Sequence, residues 1–345
     1  MKRNLFSLLI IAFLASCTST INLPVLKPAD ITLPSDIEKF TLVNRSKPSK
    51  NNQVWNVVEA VLTGEGLFAD REGADQCLSG LMATMQQTPR FNITQTSIEF
   101  KGTGTEQFAL PLSWPEVENI CRQNTSEAII VLEAFDSDSK LTNEAKPVQK
   151  KGADGQTITF SEFYSHARME VKSGWRIYFP KDKRILDEYR FSDFLTFDGK
   201  GETAEKANAS LPNKRDCIKR TGFHAGQQYG YRISPQWINV SRYFYTRGND
   251  PMKAAGKRVK RAGDWKGAME IWKKEALNNN PKVAWKANYN MALACEHEGN
   301  LDIALEWAKK SFDIGQKQAP AQYIHTLNTR INEKKKLDEQ MKNQK

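Results

Sequence analysis

Ala128-Ile129-Ile130-Val131-Leu132-Glu133-Ala134-Phe135 is apolar at all but one position, with Ile-Ile-Val-Leu at its centre. A short run of this kind, rich in β-branched residues and without alternation, reads as a strand buried on both faces. It fixes a sheet at the middle of the fold, and the flanking segments read around it. Upstream, Ile37 to Val43 is a first strand that stops at Asn44-Arg45-Ser46, residues suited to a turn. Lys47 to Asn52 is a polar loop and Trp55 to Leu62 a short apolar-rich stretch. Asp70 to Gln87 has helical period, with Ala74, Leu78, Leu81, Met82 and Met85 on one face, and Pro89 stops it. Phe91 to Gln95 is a second strand. Trp114 to Arg122 is a short helix with Pro115 in its first turn.

Downstream the pattern changes. Phe160 to Val171 alternates, with Ala167, Met169 and Val171 opposite His166, Arg168 and Glu170. Ser173-Gly174 is read as a hairpin turn, Trp175 to Phe179 as the return, Lys181 to Arg184 as another turn, and Ile185 to Phe197 as a third strand. Residues 202–209 and 213–230 read as helices, and Gln236 to Thr246 as a last strand. The expected fold class is α+β: a mixed sheet with an antiparallel meander and packed helices, followed by an all-α helical repeat domain. The order resembles the periplasmic α/β domain of curli-secretion-type and cell-wall-synthase-activator lipoproteins. That likeness is topological, covers residues 36 to 247, and carries no residue motif.

The helical part repeats. Gly263-Asp264-Trp265-Lys266-Gly267-Ala268 returns as Gly299-Asn300-Leu301-Asp302-Ile303-Ala304. A turn glycine followed five residues later by alanine puts the alanine where two helices cross closely. The pattern resembles the tetratricopeptide repeat, with Ala287, Ala292, Gly299, Ala304 and Ala308 in its small-residue positions. The period exceeds that family's by two residues, which implies a longer turn around Asn278 to Lys282. Two repeats are fewer than the three such arrays usually need to bury a continuous core. Residues 248–345 alone are therefore expected to fold only in part.

At the N-terminus, Lys2 and Arg3 precede an almost unbroken apolar run, Leu5 to Leu14, which ends in Ala15-Ser16-Cys17. Charge, a short apolar core and small residues make a signal peptide, and the run is about half the ~20 residues a spanning helix needs. Leu14-Ala15-Ser16-Cys17 resembles the lipobox of bacterial lipoproteins. The resemblance implies cleavage after residue 16, a diacylglycerol on Cys17, palmitate-type acyl chains and a membrane partner reached through that lipid. Thr18, rather than Asp, follows the cysteine, which in lipoproteins favours the outer membrane. No acidic cluster follows it, which favours the periplasmic face. The expected organisation is signal peptide 1–16, lipidated tether 17–35 with Pro24, Pro28 and Pro34, α+β domain 36–247, helical domain 248–331 and polar tail 332–345, into which a helix continues and frays.

Net charge is +10, and losing Lys2 and Arg3 with the signal leaves +8. Lys253, Lys257, Arg258, Lys260 and Arg261 crowd one stretch. A secreted chain rarely meets nucleic acid, so no nucleic-acid partner is expected. Anionic lipid headgroups or an acidic protein are the expected targets of that charge, a solvated helix face being the simpler alternative. Cys77, Cys121, Cys217 and Cys295 lack close pairing, so no zinc site is expected, and free buried thiols are favoured over disulfides. No His-Glu-x-x-His, Gly-x-Ser-x-Gly or Gly-Lys-Ser/Thr pattern occurs, and no catalytic residue or cofactor is assigned. Glu133, Asp136 and Asp138 are the best acidic cluster, and loop solvation accounts for it equally well. His297 is read as a surface residue.

As a whole the chain resembles uncharacterised bacterial outer-membrane lipoproteins of this two-part layout. The reading is a membrane-anchored interaction or envelope-assembly scaffold rather than an enzyme, with a protein partner on the helical repeat. Trp265, Trp272, Trp285 and Trp307 are expected to pack the repeats, any exposed one being a candidate anchor for a partner. Lys257, Arg258, Lys260 and Arg261 are the candidate charged contacts. The alternative is a glycan-binding protein or hydrolase of the cell envelope that stacks sugars on Trp175, Tyr178, Tyr189 and Tyr243. Burial of those rings would favour the scaffold.

Overall fold

The computed structural model describes residues 18–47, 67–88, 90–96, 100–103, 107–151 and 154–342. The expected signal peptide, Cys17 and the Trp55–Leu62 stretch lie outside these residues. The described chain is α+β and divides into two compact units. One comprises Pro28–Gln236 with Leu337–Lys345, the other Trp237–Lys336 with the N-terminal residues up to Lys27.

The first unit is built on a mixed sheet of five strands, β2 (Lys39–Asn44), β3 (Asn92–Gln95), β4 (Ala128–Lys151), β5 (Thr157–Phe179) and β6 (Arg184–Gly201), in the order β3-β2-β4-β5-β6. β2 runs parallel to β3 and β4, and β4-β5-β6 form an antiparallel meander. Helices α1 (Leu67–Met85) and α4 (Lys214–Ile233) cover one face, where Phe40, Leu42, Ile130, Leu132, Trp175 and Ile177 meet Leu78, Leu81, Ile218 and Tyr229. Helix α2 (Trp114–Asn124) covers the other with Val117 and Ile120 on Val43, Ile129, Val131 and Tyr178. Alternate residues of 128–132 thus enter opposite cores, which is why the run is apolar throughout. A short helix, α3 (Ala204–Ala209), follows β6.

Two sequence expectations are corrected by the structure. Ser173-Gly174 is no turn: β5 runs through it, paired with Ala134 and Phe135. The glycine is there for close approach, because a Cβ on Gly174 would overlap the ring of Phe108. That ring also lies under the guanidinium groups of Arg176 and Arg190, at 4.7 and 4.1 Å. The turn that does occur is Pro180–Lys183, with Lys183 at φ 49°. Second, Asp136 and Asp138 are in strand rather than loop, since β4 continues to Lys151 and pairs with β5 to its end. The helix expected to continue into the polar segment 332–345 does so as far as Gln340: it is α9 (Gln318–Gln340), and Gln340 is buried. Its amide accepts from the Ala29 nitrogen at 2.9 Å and donates to the carbonyls of Ala29 and Ile31 at 3.1 and 3.2 Å.

The second unit holds helices α5 (Asp250–Ala262), α6 (Trp265–Glu275), α7 (Pro281–His297), α8 (Leu301–Gly315) and α9 up to Lys336. Gly263 and Gly299 close α5 and α7 at φ 61° and 80°, the left-handed region where glycine costs least. Asp264 then caps α6 by accepting from the Gly267 nitrogen, and Asn300 stands at the N-cap of α8. Ala268, Ala287, Ala292, Ala304 and Ala308 are fully buried.

The same unit contains a two-stranded sheet of β1 (Thr18–Lys27) and β7 (Gln236–Tyr245). The sequence-based boundaries made the first a tether and the second the last strand of the α+β domain. Instead the two pair with each other, with Ser241 Oγ 2.8 Å from Asn22 Oδ1. Leu23, Val25 and Phe244 enter the helical core. Asn290 on α7 accepts from the Tyr245 nitrogen at 2.8 Å and donates to its carbonyl at 2.7 Å, as a neighbouring strand would. The burial that two helical hairpins lack therefore comes from these strands. Residues 248–336 alone are expected to melt broadly, and a chain with 18–27 and 237–247 restored to melt in one sharp step. Circular dichroism melts compare the two, and an equally sharp transition in the shorter fragment would refute this assignment.

Candidate functional site

Of the four tryptophans expected to pack the repeats, two are buried and closed to a partner. Trp272 is fully buried against Phe244 and Trp265. Trp285 packs on Tyr245 and sits where a Cβ on Gly315 would go, 2.7 Å from its ring. The other two reach solvent. Trp265, half-buried at the start of α6, stacks on His297 at 4.4 Å between centroids. Trp307, half-buried on α8, lies under the ammonium group of Lys310 at 4.7 Å.

The basic residues stand on α5. Met252, Ala255, Gly256 and Val259 face the core, and Lys253, Lys257, Lys260 and Arg261 are exposed on the opposite side. Their spacing of four, three and one places them on one helical face. Arg258 differs: its Nη1 donates to Asp264 Oδ2 at 2.7 Å, so its charge is spent within the turn. Asp264 is held below the usual carboxylate range by the Gly267 N–H and by Arg258.

The candidate acidic cluster does not converge. Glu133 is fully buried, Tyr178 donates to it at 2.7 Å, and Arg45 and Arg176 approach it at 3.1 and 3.3 Å. The same arginines bind the carbonyls of Leu110 and Ala109, at 2.7 and 2.8 Å, so this carboxylate organises the loop over the sheet. Burial, with the Glu133 charge, pushes the Tyr178 phenol up to about 12. Asp70 bonds to Ser137, and burial raises it to about 6 against that hydrogen bond, with Asp136 and Asp138 adding smaller pushes. Asn44, at the end of β2, is hydrogen-bonded to Asp75 and Ser46.

Histidines are dispersed. His166 bridges Asp198 at 2.6 Å and Glu144 at 3.2 Å across exposed strands, and these bonds raise its pKa. His224 lies 2.7 Å from Asp193. Among the described residues no group of three His, Cys, Asp or Glu could hold a metal. Cys77, Cys121, Cys217 and Cys295 are free and buried, and burial pushes each thiol above its ordinary range. An open groove of about 360 Å³ is lined by Pro34, Leu186, Arg184, Glu339 and Lys342 among others.

Sequence reasoning missed the strongest polar centre of the second unit. Glu296 on α7 is buried with two arginines and a tyrosine around it. Arg242 on β7 donates from Nε and Nη2 at 3.0 and 3.1 Å, Arg330 from Nη1 at 2.5 Å, and Tyr323 from its hydroxyl at 2.6 Å. With all four bonds internal, this is a locking device rather than a reactive group. No local signal joins these residues, because the partners lie 54, 34 and 27 positions away.

No described helix is long and apolar enough to cross a membrane. Residues 253–339 match a second domain of unknown function, DUF6340. No curated protein matches the chain. Among solved structures, the dodecamer of a PelC variant from Paraburkholderia phytofirmans is similar at 9% identity, over 60% of this chain and 98% of that one, with a TM-score of 0.20. The match to the family described as domain of unknown function DUF8603 spans residues 37–245, more than half of the sequence, and the chain belongs to that family.

Proposed function

We propose that this is a lipoprotein of the bacterial outer membrane, acylated on Cys17, facing the periplasm and acting as an interaction or assembly scaffold. The observation that carries the reading is Leu14-Ala15-Ser16-Cys17 at the end of the apolar run. One acyl chain gives marginal membrane binding, whereas two or three hold a protein stably. The helical unit, a tetratricopeptide-like pair of hairpins, is the partner-binding module, and Trp265 and Trp307 are its solvent-reaching aromatic anchors.

Burial of two of the four proposed sugar-stacking rings supports this reading over the glycan one. Trp175 and Tyr178 are fully buried, and Tyr189, 38% exposed, lies under Arg232 at 3.9 Å. Tyr243 packs on Tyr245 and Tyr289. Replacing Cys17 with serine is expected to move the protein from the membrane fraction to the soluble or uncleaved pool and to abolish palmitate incorporation. Unchanged membrane residence with unchanged labelling would overturn the proposal.

A further inference from the structure

The positive charge of the chain is not shared between its units. Residues 18–27 and 237–336 carry 20 Lys and Arg against 10 Asp and Glu, whereas 28–236 and 337–345 carry 28 against 30. The basic unit is also the one that begins at Thr18, and Cys17 is the preceding residue. Thr18 is the first residue of a paired strand whose Leu23 and Val25 are buried in that unit's core. The expected long tether therefore has no length at its lipid end. The Cα atoms of Cys17 and Thr18 are about 3.8 Å apart, so acyl chains on Cys17 would hold this unit directly at the headgroups.

We propose that the exposed face of α5, formed by Lys253, Lys257, Lys260 and Arg261, docks on the anionic headgroups of the leaflet that holds the acyl chains. The proposal rests on the lipoprotein reading for its location. The face is suited to a lipid surface on three counts. Its four cations form no ion pair among the described residues, and Arg258, which has one, is excluded. It is convex and polar, with the apolar side of the helix spent on Met252, Ala255 and Val259, so it would lie on headgroups without inserting. Anchoring removes most of the search cost, so that modest attraction suffices to fix orientation. The field of an anionic leaflet decays over about 8 Å at physiological salt, so the attraction acts on this face only where it lies against the headgroups.

The test uses residues 18–345, the chain without its lipid-carrying cysteine, in sedimentation with vesicles of phosphatidylglycerol and phosphatidylcholine or of phosphatidylcholine alone. Binding is expected only with phosphatidylglycerol, weakening as salt is raised. Each cation near such a surface contributes about fivefold in partition. The variant K253Q/K257Q/K260Q/R261Q should lose about a hundredfold or more, and the pairs K253Q/K257Q and K260Q/R261Q should each fall between. Neutralising Lys140, Lys150, Lys151 and Lys183 on the other unit should change nothing. The proposal is overturned by equal binding to both vesicle types, by full binding of the fourfold variant, or by equal loss in the control. Binding to polyglutamate with none to phosphatidylglycerol vesicles would assign the face to an acidic protein and overturn it too. Since no acyl chain is present, these outcomes are separate from those of the Cys17 substitution, which tests the lipoprotein reading alone.

Discussion

Glu296→Ala is expected to destabilise the helical unit by about 3 kcal/mol, the lower end of the range for breaking a buried ion pair by removing one partner. The carboxylate is fully buried and satisfies Arg242, Arg330 and Tyr323 together. Its loss strands two guanidinium groups and a phenol while opening a cavity. The lower end applies because the Arg242 and Arg330 side chains keep 16% and 17% exposure and can recruit water. Glu296→Gln, which preserves shape and part of the hydrogen bonding, should cost roughly half as much. Because the network ties β7 to α7 and α9, its loss should also speed hydrogen exchange at Tyr245 and along β7. Urea unfolding of the mature chain measures the first effect, and a variant that unfolds at the wild-type midpoint would remove Glu296 from its locking role.

The second large effect is expected where α1 and α4 meet. Gly222, Gly226 and Gly230 recur every fourth residue of α4 and face α1. A Cβ on Gly226 would overlap the carbonyl oxygen of Cys77, and one on Gly80 of α1 would overlap that of Phe223. The obstacle is backbone, which cannot rotate away. Gly226→Val should therefore cost about 3 kcal/mol or more through overpacking. Gly226→Ala should still destabilise, although alanine gains about 1 kcal/mol in helix propensity over glycine. Gly256→Ala supplies the contrast. There the new methyl would meet the Thr246 side chain at 3.1 Å, which can shift, so the change should stay within about 1 kcal/mol of wild type. Thermal melts of the three variants rank them, and a Gly226→Val protein as stable as Gly256→Ala would refute close helix contact at this site.

What could be read in the sequence was what local chemistry determines. The inner half of β4 was legible because burial on both faces makes it apolar throughout. Its outer half was not, because residues 138–147 are exposed and polar and their strand state is imposed by pairing with β5. Gly263 and Gly299 were legible as helix ends because a left-handed residue admits glycine most readily. Gly174 misled, since the same residue type serves a turn or a close contact, and the ring that decides between them is 66 positions upstream. Strand character in 236–246 was legible, but its partner, more than two hundred residues earlier, was not. In the candidate site, the crowding of Lys253, Lys257, Arg258, Lys260 and Arg261 in one stretch was legible. The packing of Trp272 was legible too, whereas the diversion of Arg258 to Asp264 required tertiary structure.

The account depends on what residue 17 becomes. Intact-mass and N-terminal peptide spectrometry of the protein purified from its own membranes tests this most directly. A chain that starts at Cys17 and carries a diacylglycerol, with or without a third acyl group on its amine, is the predicted result. A chain that retains Met1, or that starts elsewhere with an unmodified residue, would contradict the lipid anchor and with it the location of the basic helix at a bilayer.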